Sequence, residues 1–530
     1  MNLIKLTKHP FTLPSCLVFL VILILFIAPY IKKTSGDGME YVLSAHAIYS
    51  HFSPSIHASD IDYYSKSDSD RLFFKSHLFS SEFDRDIKWS APLGKNAYFI
   101  APGFLKANHG SIYTWHYWLY PAIASPFLLV TDQLNLSSAS AFWLCNCFLM
   151  LATLCYACFY WKASNLQKSF LMAGYLLSGT SYYLKWTHPE VMTASFILIG
   201  LMAIADKRHW LGLVAVAIAA TQNPPILFLL LILMGYILFQ LVINIKSRKF
   251  TIILKNAYSD LVAMAFSLLI AISPMIFYYN KIGVLNPISS LGYSDFSLIS
   301  FARLNSLYFD LNMGMLIAMP GTFLVGLYVL SAFNKRNYNA ISLSYFQYAV
   351  PIFLGMLISV LMAIPTLTTI NWNHGSSVLS RYAYWLAIPI LFGLAVNLKY
   401  LRFSMQRNIL IFLIVVQSMV VLNNKIFGNN SFHLAFKPLA KVVMSKLPSA
   451  YNPIPEIFIE RVLGREEAIP IGDAAEQLLM YPNQQNPTKI LVRQSGLAEI
   501  LKKLPKNCQY NQSSELEGKW FYLNLSSCTD

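Results

Sequence analysis

The chain has 530 residues, of which 56% are hydrophobic and only 12% charged, and its net charge is +15. Soluble globular chains average roughly 45–50% apolar and about 25% charged residues, so an ordinary soluble enzyme is excluded. Disorder is excluded too, because a disordered chain is poor in apolar residues. A basic excess would suggest nucleic acid in a soluble protein, but the placement of the charges removes that reading.

Taken in chain order, the apolar runs predict about eleven membrane spans: residues 12–31, 137–160, 168–185, 189–205, 209–222, 224–244, 259–279, 313–333, 343–364, 383–398 and 408–424. Residues 17–28 are unbroken, and 226–243 are interrupted only by one Gly and one Gln. The spans 189–205 and 209–222 are short for a hydrocarbon core of ~30 Å, so they are expected to tilt or to pack inside the bundle. With the N-terminus cytoplasmic, the inner segments hold 15 basic residues, among them Lys246, Arg248, Lys249 and Lys255. The one acid in those loops is Asp206, with Asp260 just inside the seventh span. Everything else then holds 25 basic and 24 acidic residues, with Lys32 and Lys33 the main exception to the trend. This is the positive-inside asymmetry of a multi-pass membrane protein.

Residues 112–130 are apolar enough to be a further span, but counting them would reverse every later loop. They are read as a helix at the outer surface, with Trp115, Tyr117, Trp118 and Tyr120 as interfacial aromatics. The non-membrane mass then lies outside, in loops 32–136, 280–312 and 365–382 and in a tail, 425–530. The expected fold is an all-α polytopic domain over 1–424 with outer juxtamembrane helices, followed by a small α+β domain over 425–530. In the tail, Lys489–Arg493 and residues 520–525 read as strands and 496–504 as a helix. The first span, with no clear small-residue cleavage site after it, reads as a retained anchor. Cys508 and Cys528 lie in the outer tail, where an oxidising compartment would permit a disulfide. No CxxC or HxxxH metal pattern occurs.

Ionisable groups near lipid are costly and often functional. Asp37 and Glu40, in Gly36-Asp37-Gly38-Met39-Glu40-Tyr41, follow closely on the first membrane exit. Asp37 precedes a helical pattern, so it reads either as a helix N-cap or as a functional acid. Glu190, in Trp186-Thr187-His188-Pro189-Glu190, sits in a very short outer loop. It too has a plain alternative, as the acid of a helix that starts with Pro189. Arg381, followed by Tyr382, enters a span on the outer side against the charge trend. It suits a phosphate, or it is a snorkelling anchor. Loop 280–312, with Tyr293, Asp295, Arg303 and Asp310, is long enough for a lid or binding loop.

The layout of a span, an outer Asp in a D-x-x-x-Y-x-x-x-A context and a long first outer loop resembles the GT-C superfamily of integral-membrane glycosyltransferases. The closest flavour is the branch related to aminoarabinose transferase and the protein O-mannosyltransferases. Asp37 matches the first-loop acid of that family, with Glu40 as its substitute, and Glu190 takes the place of the second acid without the usual preceding Arg. His116-Tyr117-Trp118-Leu119-Tyr120-Pro121 is similar to the family's juxtamembrane element but lacks its double proline. Arg381-Tyr382 with Pro389 is similar to its Arg-Tyr entry to a late span.

The resemblance implies transfer of a sugar from a polyprenyl-phosphate donor to an acceptor hydroxyl on a glycan, lipid or protein, at the outer face of a bacterial inner membrane. Asp37 would be the catalytic base, with Glu40 and Glu190 beside it. Arg381 would meet the donor phosphate, with Tyr382, His188, His116, Lys95 and Arg303 as further substrate-binding candidates. No cofactor is required; a divalent metal is compatible with the chemistry. Two other readings stay open: a polymerase or ligase of O-antigen type, which leans on several outer arginines, and a lipid or solute transporter, which normally shows internal repeats.

Overall fold

The structure, a computed structural model, describes residues 12–27, 37–67, 92–93, 97–101, 103–245, 250–336, 343–372, 378–426, 432–465, 478–482, 487–504 and 508–527. The protein is mostly helical. Six helices among the described residues are long and apolar enough to cross a membrane: Ala139–Tyr160, Pro224–Ile243, Ala257–Ile282, Ala349–Thr368, Arg381–Tyr400 and Phe403–Asn424. Three apolar helices are shorter: Glu190–Ala205, His209–Gln222 and Pro320–Ser331. A helix occupies the described part of every predicted span, but among the described residues only these six have the length and apolar character to cross.

The third predicted span shows why length falls short. Ser164 starts its helix with a capping box, accepting from Gln167 N–H while Gln167 Oε1 accepts from Ser164 N–H. The α-helix Asn165–Tyr175 then widens into a π-type turn, Leu176–Thr180, before Ser181–Tyr183. The short helices Glu190–Ala205 and His209–Gln222 are packed face to face. A Cβ at Gly200 would stand 2.5 Å from Val216 Cγ2, and one at Gly212 2.6 Å from Ile204 Cγ1. Small residues at the crossing let the two backbones approach.

The chain divides into two compact units. The first comprises residues 1–292, 325–362 and 385–414. Its N-terminal helix α1 (Leu13–Ile27) precedes α2 (Gly38–His51) and α3 (Ala58–Ser67). His46 Nδ1 meets the fully buried Asp60 carboxylate at 2.6 Å, tying α2 to α3. An antiparallel sheet follows, in the order β1 (Pro92–Leu93), β2 (Ala97–Ala101), β3 (Phe104–Ala107) and β4 (Ile112–Thr114). Helix α4 (Leu119–Gln133) comes next.

Two expectations are corrected here. The first unit is not all helical, and residues 112–130 are not one helix, because β4 occupies Ile112–Thr114 and α4 begins only at Leu119. The β-branched and aromatic run Ile112-Tyr113-Thr114 suits a strand, and all three residues are buried. Gly110, at φ +89°, makes the turn that pairs it with β3.

The second unit comprises 293–324, 363–384 and 415–530. The tail therefore does not stand alone, because segments of loops 280–312 and 365–382 belong to its core. Its second sheet has the order β5 (Leu478–Tyr481), β6 (Lys489–Arg493), β8 (Trp520–Ser527) and β7 (Gln509–Gln512), all antiparallel. Helix Gln494–Lys503 follows β6. β6 and β8 are the two strands expected of the tail and Gln494–Lys503 is its expected helix, with ends shifted by up to two residues; β5 and β7 were not foreseen. Cys508 is disulfide-bonded, and Cys528 lies outside the described residues. The five cysteines of the apolar segments, Cys16, Cys145, Cys147, Cys155 and Cys158, are free thiols.

Candidate functional site

Asp37 stands at the N-cap position of α2, with φ −70° and ψ 9°, yet its side chain makes no capping hydrogen bond. A capping Asp turns its carboxylate back onto the first-turn N–H groups. Here Asp37 Oδ2 instead lies 3.5 Å from His116 Nε2 and 3.9 Å from His188 Nδ1. One turn into α2, Glu40 Oε2 lies 3.5 Å from the same His116 Nε2. The ligand atoms of Asp37, Glu40 and His116 all fall within 4.8 Å of one another. Three segments far apart in sequence thus converge: the start of α2, the exit of β4, and the turn before helix Glu190–Ala205.

The environment of the two acids differs. The Asp37 side chain is 36% exposed and Glu40 only 6%. Burial holds the Glu40 carboxyl well above its ordinary pKa, and the nearby Asp37 charge raises it further, while the Trp115 indole offsets part of the shift. Glu40 therefore favours its protonated form, and Asp37 is the acid open to an incoming molecule. Glu40 Oε2 and His116 Nε2 are both buried atoms without a hydrogen-bond partner.

The scaffold fixes each group. Tyr41 stacks on His116, with ring centroids 4.9 Å apart and planes 16° apart. Its ring also lies 5.5 Å from that of His188. Behind them, Tyr120 OH donates to Asn146 Oδ1, and Asn146 Nδ2 donates to the carbonyls of Leu184 and Trp186. Asn146 is fully buried, so it ties α4 to the Trp186–His188 turn from inside the apolar helix Ala139–Tyr160. Thr114 Oγ1 donates to His116 C=O and meets Ser44 Oγ at 3.1 Å, which clamps the end of β4 to α2.

The expected site residues separate into three groups. Asp37, Glu40, His116 and His188 are brought together in the first unit. Glu190 is buried in the first turn of its helix, two positions after His188, and its charge acts on the Tyr120 hydroxyl. Arg381 and Tyr382, the first residues of helix Arg381–Asn397, belong to the second unit, where Tyr382 OH lies 3.5 Å from Thr369 Oγ1. Lys95 lies outside the described residues.

Arg303 has a structural task. Its guanidinium is fully buried, pairs with both carboxylate oxygens of Glu517 and donates to the carbonyls of Leu367 and Thr369, over the Trp372 ring. Four of its five N–H donors are used inside the protein, and its charge is already paired with a carboxylate, so it is not a phosphate-binding group. The loop expected as a lid is likewise tied down. Asp310 accepts from the backbone N–H of Asn312 and Met313 and from Tyr451 OH, and Asp295 accepts from Ser297 N–H.

Sequence reasoning passed over Gly103, Tyr120 as a hydrogen-bond donor, and Asn146. An Asn inside an apolar run was a visible signal for the last of these. Comparison of the chain with family models, with characterised proteins and with solved structures finds no match.

Proposed function

We propose that the chain is a multi-pass membrane glycosyltransferase that moves a sugar from a polyprenyl-phosphate donor to an acceptor hydroxyl at the extracytoplasmic face. The reading includes the finer topology: eleven spans, a cytoplasmic N-terminus, an extracytoplasmic tail, and a bacterial inner membrane as host. The observation that supports it most is the orientation of Asp37. An acid at a helix start that forgoes the capping bond, and lies instead against two imidazoles in a partly open site, favours a chemical role over a capping one.

In the proposed reaction, the acceptor hydroxyl attacks C1 of the sugar and its proton passes to the Asp37 carboxylate. The bond from C1 to the phosphate oxygen breaks, and polyprenyl phosphate leaves with the electron pair. A single displacement inverts the anomeric centre. His116 and His188 flank Asp37, and Glu190 supports the turn that carries His188. Arg381 is the proposed cation for the leaving phosphate, and Arg303 drops out of that role. With Arg303 committed to Glu517, Arg71, Arg85 and Arg381 are the outer arginines left outside the tail. That is thin support for a polymerase or ligase that relies on several of them.

The test compares the envelope glycans and lipid-linked sugars of a deletion strain carrying wild type with those of the same strain carrying Asp37→Asn at equal expression. Mass spectrometry should show one sugar missing from a glycan, lipid or protein in the mutant, and its polyprenyl-phosphate donor accumulating. Identical profiles would make Asp37 a helix residue only and favour transport.

A further inference from the structure

We propose that Asp37 Oδ2, Glu40 Oε2 and His116 Nε2 form a tetrahedral binding site for one divalent ion of the Zn2+ class, with the fourth position facing the open side of Asp37. The proposal rests on the geometry of these three groups and not on the transferase reading.

The distances carry the argument. His116 Nε2 stands 3.5 Å from Asp37 Oδ2 and 3.5 Å from Glu40 Oε2. A charge-assisted hydrogen bond would close to roughly 2.7–2.9 Å, so neither pair is one. Two ligands of a tetrahedral ion with bonds of about 2.0–2.1 Å lie roughly 3.4 Å apart. Neighbouring ligands of octahedral Mg2+ at similar bond lengths lie only about 3 Å apart. Both separations from His116 match the tetrahedral edge; the third, between the Asp37 and Glu40 oxygens, lies within 4.8 Å and closes as the ion binds. One imidazole with two carboxylates also suits Zn2+ better than Mg2+, whose sites are built from oxygen alone.

A second observation points to a missing ligand. Glu40 Oε2 is buried, faces the cluster and has no hydrogen-bond partner, and His116 Nε2 is in the same state. Leaving such atoms unsatisfied is costly, and a cation at the centre satisfies both at once. The groups cannot easily turn away. Gly103 packs directly behind the Glu40 carboxylate, and Tyr41 stacks on the His116 ring. His188, 3.9 Å from Asp37 Oδ2, stands outside the triad as a positioning neighbour. Coordination through Oδ2 engages one oxygen of Asp37, and the proposed proton transfer uses the other.

The experiment uses the full-length purified chain in detergent, stripped with a chelator and titrated with ZnCl2, MgCl2 and CoCl2. Wild type should bind one Zn2+ per chain by calorimetry and elemental analysis, and bind Mg2+ at least about 100-fold more weakly. The Co2+ form should show the intense visible bands of a four-coordinate ion. His116→Phe, which keeps the ring stacked on Tyr41, should weaken Zn2+ binding by more than about 100-fold, the upper range seen for loss of an outer-shell partner. Glu40→Gln should also weaken it. His109→Phe, on the exposed turn after β3, should bind as wild type does.

Absence of stoichiometric Zn2+, weak octahedral Co2+ bands, or unchanged binding in His116→Phe would each overturn the proposal. Unchanged thermal midpoints of the stripped variants would show that the loss is of binding and not of folding. Zn2+ binding without sugar transfer would leave the site standing and remove the transferase reading. Transfer by a chain that binds no Zn2+ would do the reverse.

Discussion

Gly103 is backed against Glu40 so closely that a Cβ at this position would stand 2.1 Å from Oε1 and 2.2 Å from Cδ. Its φ of +92° also lies where side chains are strained. Gly110, in the same sheet, has φ +89° but nothing within 4 Å of its Cβ position. The pair separates backbone strain from steric displacement of Glu40. Gly110→Ala should cost roughly 1–3 kcal/mol for the strained backbone and keep full sugar transfer. Gly103→Ala should cost more and abolish transfer, because the Glu40 carboxylate must move out of the cluster. The checks are thermal midpoints in detergent and transfer by the folded fraction. Equal transfer by the two variants would show that the position of Glu40 does not matter.

Arg303 and Arg381 should fail in different ways. Removing Arg303 leaves the buried Glu517 charge unpaired and strips the donors from Leu367 and Thr369 C=O. Breaking a buried pair typically costs about 3–5 kcal/mol, so Arg303→Gln should lower the thermal midpoint steeply. Arg381→Gln should keep the midpoint near wild type and lower transfer, chiefly through kcat if the guanidinium meets charge that develops on the leaving phosphate. A drop in KM-dependent binding alone would assign Arg381 to the ground state. Normal transfer would remove it from the site.

The contrast between these two arginines shows how far sequence reads. An arginine in an outer loop looks the same whether it serves a phosphate or a carboxylate 214 positions away, as Arg303 does. Asp37 and Glu190 stand out in the sequence because acids bordering long apolar runs are rare. The helices were legible because hydrophobic runs report length, although the π-type turn at Leu176–Thr180 left no pattern to read. The sheet β1–β4 hid inside a loop whose strands are two to five residues long, too short for alternation to stand out. The convergence of Glu40 and His116 on one point is a tertiary fact that neither local spacing nor charge could supply.

Two helix segments of the first unit meet through reciprocal glycine–proline contacts. A Cβ at Gly355 would lie 2.4 Å from Pro389 C=O, and one at Gly393 would lie 2.3 Å from Pro351 C=O. Each helix, Leu343–Ala363 and Arg381–Asn397, therefore lends one proline and one glycine to the crossing. The obstructing atoms are backbone, so they cannot rotate aside. Gly355→Ala and Gly393→Ala should each cost roughly 1–3 kcal/mol. The double variant should cost less than the sum, because the first substitution already separates the helices. Strict additivity of the two midpoint shifts would argue against a shared crossing.

Buried lysines in the second unit predict how its stability responds to alkali. Burial pulls Lys437 down to about 7, and the Arg461 charge lowers it further while Asp310 opposes. Its Nζ donates to Val378 C=O at 2.7 Å. Burial also pulls Lys489 down to about 7. The unfolded chain holds each proton up to about 10.4, so between about 7 and that value it binds more protons than the folded chain does. Stability then rises with pH across this window, and the gain is lost as pH falls through about 7. Lys437→Met has no proton to exchange. Its midpoint relative to wild type should be highest at or below about pH 7 and should decline steadily toward about pH 9. Lys489→Met should show the same trend, and the double variant should flatten the alkaline limb most. Thermal unfolding in detergent at a series of pH values checks this. A difference between variant and wild type that is constant with pH would mean that Lys437 keeps its proton in the fold, held there by Asp310 and the Val378 carbonyl.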